Sequence, residues 1–148
     1  MNLKFSSVAA TPSNPNWNNL ISRKDELYKK ENDVRSEFER DYDRIIYCNA
    51  YRRLKHKTQV FFLPKNDHIC TRIEHVNNVD ATSYTIAKAL GLNTTLTRAI
   101  SISHDIGHSP FGHKGEQILN RICMENDLEA FWHERNGLNF VDNIELLT

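Results

Sequence analysis

The sequence has no surplus of charge. Nineteen Lys and Arg are matched by nineteen Asp and Glu, a formal net charge of zero over 148 residues. That argues against a protein held on nucleic acid by bulk positive charge, while leaving room for a local basic patch. No stretch approaches the roughly 20 apolar residues of a membrane span, and Met1 to Ala10 carries one Lys and no long apolar core, a poor secretory signal. Cysteine is sparse: Cys48, Cys70 and Cys123 are an odd number at wide spacings, neither a disulfide framework nor a metal knuckle. Free buried thiols in a reducing cytoplasm are the plain reading, so the expected location is cytoplasmic. No repeat recurs at a fixed period. What remains, 39% hydrophobic and 26% charged residues, fits one soluble globular domain that can bury roughly two-thirds of its unfolded surface.

The pattern along the chain is mainly helical. Thr11 to Asn19, with two prolines and four asparagines, has loop composition, and residues 1–21 read as a polar lead-in to a domain over 22–148. Ser22 to Arg40 is highly charged with a narrow apolar stripe, which predicts a largely solvated helix. Asp41 to Lys55 continues the helical pattern. Val60 to Leu63 is a short run of β-formers before turn chemistry at Pro64 to Asp67, and His68 to Cys70 reads as a returning strand; a small hairpin near 60–70 follows. Thr71 to Leu90 predicts a strong helix stopped by Gly91, and Asn93 or Thr94 caps the next. Further helices are expected over about 114–126 and 133–146.

Histidines carry the chemistry. His104 and Asp105 are adjacent near the end of an apolar helix, and His75 lies early in the preceding one. Two imidazoles and a carboxylate form a mixed N/O set suited to Mn²⁺, Fe, Zn²⁺ or Ni²⁺. An isolated His-Asp dipeptide would be better read as a helix C-terminal pair. The surroundings weigh against that. His104, His108 and His113 fall within ten residues, interleaved with Gly107, Gly112 and Gly115, and a core rarely tolerates so many polar rings without partners. By contrast, His56 and His68 read as surface residues, and Phe131, Trp132 and Phe140 as core. The run Arg52, Arg53, Lys55 and Lys57 reads either as a solvated helix end or as a phosphate-binding rim.

Four ordered motifs support a family resemblance: Asp41-Tyr-Asp-Arg-Ile45, Tyr51-Arg-Arg-Leu-Lys-His-Lys-Thr-Gln-Val60, Thr71-Arg-Ile-Glu-His75, and His104-Asp-Ile-Gly-His-Ser-Pro-Phe-Gly-His-Lys-Gly-Glu116. Over residues 35 to 140 they resemble the deoxyguanosine-triphosphate triphosphohydrolases, a branch of the HD-domain metal phosphohydrolases. The resemblance implies a helical HD bundle and His75, His104 and Asp105 as ligands of a divalent ion, Mn²⁺ or Mg²⁺ foremost, with Fe, Ni²⁺ or Zn²⁺ as alternatives. It implies His108, His113, Glu116 and His133 as catalytic residues, and Gln59, Val60 and Arg72 as substrate contacts.

The implied reaction is attack of a metal-activated water on the α-phosphate of a deoxynucleoside triphosphate, releasing a deoxynucleoside and inorganic triphosphate. His113, held by Glu116, is suited to protonate the leaving 5′-oxygen if a helix begins near Gly112. Implied partners are the nucleotide, further copies of the chain in a homo-oligomer, and single-stranded nucleic acid or an allosteric nucleotide at the basic rim. The family also uses a second Asp from a helix far downstream. Here Glu134, Asp142 and Glu145 all lie on the helix directly after the histidine cluster, so this ligand and the C-terminal half of the bundle are expected to be missing. Three readings follow: a fragment, a natural truncation, or a site completed by another chain. The alternatives to a triphosphohydrolase are a non-catalytic nucleotide-binding or oligomerisation homologue, and another HD phosphohydrolase. An exposed apolar face that drives self-association is a further expectation.

Overall fold

The computed structural model describes residues 5–24, 30–57, 66 and 68–145. The described residues form helices joined by short turns, with no strand among them. After a one-turn helix, α1 (Trp17–Leu20), the first long element is α2 (Glu37–Tyr47). Ser36 starts it with a capping box: its hydroxyl accepts from the Glu39 N–H, and the Glu39 carboxylate accepts from the Ser36 N–H at 2.6 Å.

The helix predicted over 22–40 is therefore corrected. Residues 30–36 are turn and bend, with Asn32 at φ 59°. Asp33 accepts hydrogen bonds from the Arg35 backbone and guanidinium, which gives the chain a local alternative to the helical ladder.

Nor does one helix span 41–55. Cys48 is extended (φ −69°, ψ 153°), and its sulfur accepts from the Tyr51 N–H to cap the short α3 (Asn49–Arg52), which tightens into a 3₁₀ turn at Arg53–His56. The Ala50 N–H is satisfied from the far end of the chain, by the Glu145 carboxylate at 2.8 Å. The predicted hairpin lies mostly outside the described residues. Its returning strand, His68–Cys70, is a turn: Asn66 accepts from the His68 N–H through its side chain and from the Ile69 N–H through its carbonyl.

The next two helices match expectation. α4 (Arg72–Leu90) begins at a Thr71–Glu74 capping box and ends at Gly91 in the left-handed region, φ 77°. α5 (Thr94–Ser103) is capped by Asn93, whose side chain accepts from the Leu96 N–H and donates to the Ala10 carbonyl. α5 packs on both α4 and α2. Arg98 ties the three together, donating to Asp80 of α4 and to the Tyr42 hydroxyl of α2. Between them lies the core: Ile45, Ala50, Tyr51, Leu54, Val76, Ala99, Ile102 and Ile106. Leu54, Val76, Ile102 and Ile106 are fully enclosed, each contributing about 1.5–3 kcal/mol by burial.

α6 (Gly112–Glu125) starts two residues earlier than the pattern suggested. α7 (His133–Asn139) is shorter than predicted, because Phe140–Ile144 widens into a π-helical turn closed by the Glu145 N–H on the Phe140 carbonyl. Three smaller readings also change. Trp132 is 58% exposed rather than core, Cys70 is exposed, and Cys123 is half-buried. Ile118, Ile122, Leu128, Trp132 and Leu138 are also exposed, so α6, α7 and the segment joining them each carry exposed apolar side chains.

Candidate active site

The helix pair α4–α5 places the first group of residues. His75 lies in the first turn of α4, and His104 follows the last residue of α5. Their rings meet edge to face, with centroids 5.5 Å apart. His104 Nδ1 lies 2.6 Å from the Ser101 carbonyl. A carbonyl only accepts, so Nδ1 carries the proton and Nε2 keeps a free lone pair. Asp105 is buried and accepts from Arg72 Nη1 at 2.7 Å. Burial pushes its carboxyl pKa up, but the Arg72 hydrogen bond and positive charge outweigh this and hold it below the ordinary value. Two imidazoles, one with its tautomer fixed for ligation, and an ionised carboxylate fit a divalent transition metal by donor type. With Asp105 turned onto Arg72, the three donors do not gather within the 4.8 Å span that Glu116, His133 and Glu134 achieve among the described residues.

The second group is set by the turn between α5 and α6 and by the start of α7. Gly107 explains how they come so close. A Cβ there would lie 2.1 Å from the Gly137 nitrogen and 2.3 Å from the His133 carbonyl oxygen, so only glycine admits the backbone of α7. Asn136 seals the contact by donating to the Gly107 carbonyl. Lys57 holds the same turn from the other side, its ammonium donating to the His108 carbonyl at 2.5 Å. Burial pushes the Lys57 pKa down.

His108 is enclosed, 3% exposed, with Nδ1 3.0 Å from the Ser109 carbonyl and Nε2 without a protein partner. Burial lowers its pKa, which favours the neutral imidazole. Around it stand His133, with ring centroids 5.0 Å apart, and His113 at 5.7 Å. Glu116 links the last two. Its Oε1 accepts from the His133 backbone N–H and lies 2.9 Å from His133 Nδ1, and its Oε2 lies 3.3 Å from His113 Nδ1. Burial raises the Glu116 pKa, but these hydrogen bonds outweigh it and hold it below the usual glutamate value. The helix start at Gly112 supplies the i, i+3 spacing that the His113–Glu116 contact needs.

The structure thus brings together His75 with His104 and Asp105 with Arg72, and it clusters His108, His113, Glu116 and His133. Arg72, expected to face substrate, is 5% exposed and committed to Asp105. Gln59 and Val60 lie outside the described residues. Sequence reasoning missed Asn136 and the role of Lys57. The first carried no motif, and the second was absorbed in a basic run.

The HD-domain family model matches residues 72–148. A deoxyguanosinetriphosphate triphosphohydrolase-like protein of Desulfatibacillum aliphaticivorans is 48% identical over 112 residues, 76% of this chain and 31% of that protein. One from Caldanaerobacter subterraneus is 47% identical over 113 residues, 76% of this chain and 32% of its own. One from Bartonella tribocorum is 42% identical over 145 residues, 98% of this chain and 35% of its own. The chain spans about a third of the length of these curated relatives. The family match begins at Arg72 and takes in every described residue of both clusters, and the chain belongs to the HD-domain family.

Proposed function

We propose that this chain carries the catalytic histidine cluster of a deoxynucleoside triphosphate triphosphohydrolase acting on dGTP-like substrates, with deoxynucleoside and inorganic triphosphate as products. The observation that carries the reading is Glu116, whose two oxygens each meet an imidazole, His113 and His133, beside the enclosed His108. The names of the relatives, deoxyguanosinetriphosphate triphosphohydrolase-like proteins, agree with it.

In this reading His75, His104 and Asp105 hold a divalent ion. Such an ion supplies Lewis acidity and lowers the pKa of its water from about 15.7 towards about 7. The remaining work falls to the protein. Arg72 fixes the Asp105 carboxylate and keeps it ionised. His133, with Nδ1 on Glu116, offers Nε2 to a phosphate oxygen. His113 projects into solvent from the first turn of α6, where an incoming triphosphate can reach it, and Glu116 orients its ring. A proton held at His113 Nε2 passes to the leaving 5′-oxygen as the P–O bond breaks. General acid catalysis of this kind is worth about 10²–10⁴-fold.

The test is release of deoxyguanosine and triphosphate from dGTP by this chain with added Mn²⁺ or Mg²⁺, against His104→Ala and His113→Ala. Turnover lost in the first variant and reduced about 10²–10⁴-fold in the second is expected. Full turnover in His113→Ala removes the acid role, and no turnover in the unaltered chain overturns the reading for this chain.

A further inference from the structure

We propose that Lys57 is a positioning residue of the site: its ammonium pins the turn that carries His108 to the entry of α4, and so sets where the histidine cluster stands relative to Arg72 and Asp105. The placement of the rings stands on geometry; only its consequence for turnover rests on the functional reading above.

Lys57 bonds to three different parts of the fold. Its N–H donates to the Leu54 carbonyl at 3.2 Å, closing the 3₁₀ turn on a fully enclosed core residue. Its carbonyl accepts at 2.9 Å from the N–H of Arg72, the first residue of α4, a donor that the helix itself leaves unsatisfied. Its ammonium donates to the His108 carbonyl at 2.5 Å, 51 residues along the chain. The Arg72 side chain in turn holds Asp105 at 2.7 Å. One residue therefore meets, through its backbone, the arginine that fixes Asp105 and, through its side chain, the enclosed histidine of the second cluster.

A lysine is a costly means of satisfying one carbonyl here. Burial works against its charge, the positive charges of Arg53 and Arg72 add to this, and Asp105 offsets only part of it. What the charge contributes is a firm bond, since a charged donor binds roughly twice as strongly as a neutral one. The adjoining peptide of the same turn is held by α7, where Asn136 donates to the Gly107 carbonyl at 2.8 Å. Consecutive carbonyls are thus fixed by α7 and by Lys57. The His108 ring stands 5.0 Å from that of His133 and 5.7 Å from that of His113, so movement of this turn carries into all three. A displacement of about 1 Å at a reacting group can cost about 10²-fold in rate.

Lys57→Met keeps most of the aliphatic stem and removes the donor, whereas Lys57→Arg keeps a charged donor. Ser36→Ala, at the distant α2 cap, controls for general loss of stability. Histidine ring resonances are recorded by NMR for each protein, and kcat and KM are measured for dGTP with Mn²⁺. In Lys57→Met the His108, His113 and His133 rings are expected to shift while His75 stays, with kcat lowered about 10–10²-fold and KM held within about threefold. Lys57→Arg is expected to recover most of both effects, and Ser36→Ala to show neither. An unmoved His108 ring in Lys57→Met, a raised KM with kcat unchanged, or a folded Lys57→Arg as impaired as Lys57→Met overturns the proposal. In the unaltered chain, the Lys57 ammonium protons are expected to exchange with water more slowly than those of exposed lysines. Exchange as fast as theirs overturns the proposal whether or not Lys57→Met folds. Shifted rings in a chain that does not turn over dGTP refute the functional reading and leave the placement of the rings by Lys57 standing.

Discussion

Arg72→Met separates electrostatics from packing in the α4–α5 pair. Arg72 and Asp105 are 5% and 3% exposed, and their 2.7 Å hydrogen bond joins the start of α4 to the turn after α5. Methionine retains most of the aliphatic stem but leaves the carboxylate buried without its counter-charge. Removing one partner of a buried pair typically costs about 3–5 kcal/mol, because the survivor is desolvated and uncompensated. In the unaltered chain the Asp105 pKa is depressed. The pair therefore contributes stability that is present above the unfolded carboxylate pKa and lost as pH falls through the lower folded value. In the variant, only the weaker attraction of His108 and His104 opposes burial, and the folded pKa is expected to rise above the unfolded value. Its penalty is then full at neutral pH and relieved as acid protonates Asp105. The two proteins should differ most at pH 7–8 and converge on acidification toward about pH 4. Urea unfolding at steps of pH between 8 and 4, with a chelator present, measures this. A deficit under about 1 kcal/mol at pH 7.5, or one that does not shrink in acid, refutes the assignment of the pair as a structural clamp.

Three further substitutions test the scaffold. Gly107→Ala drives a methyl into the backbone of α7, and overpacking of this kind costs about 1–3 kcal/mol. A lowered melting temperature and altered His133 imidazole shifts by NMR are expected, and an unchanged spectrum would mean α7 does not rest on Gly107. Asn93→Ala removes both the α5 cap and the donor to the Ala10 carbonyl, with an expected loss of about 1–2 kcal/mol in urea unfolding. Ser36→Ala should cost about 1 kcal/mol through the α2 cap, and a smaller effect than Asn93→Ala is expected because only one of its partners is lost.

Much of the helical frame was readable because its punctuation is local. Thr71 with Glu74, Gly91, and Asn93 each set a boundary by bonding within a few residues. The missed boundaries depend on distant partners or on competing local bonds. Nothing near Cys48 signals that the Ala50 N–H will be met by Glu145, and the 22–40 pattern hides the Asp33–Arg35 chelate that bends residues 30–36 away from a helix. The site divides in the same way. His104-Asp105 and the string of histidines and glycines announce a polar cluster in sequence, and the structure does gather His108, His113, Glu116 and His133. What the spacing could not reveal is the ordering of partners. Arg72 turns inward to Asp105 rather than outward, and Glu116 serves two imidazoles where sequence reasoning paired it with His113 alone. That double role depends on α7 reaching α6, and α7 reaches it because Gly107 has no side chain to stand in the way. The glycine between His104 and His108 is therefore as much a part of the site as the histidines: without it, His133 would be held away from Glu116 and the cluster would lose its third ring.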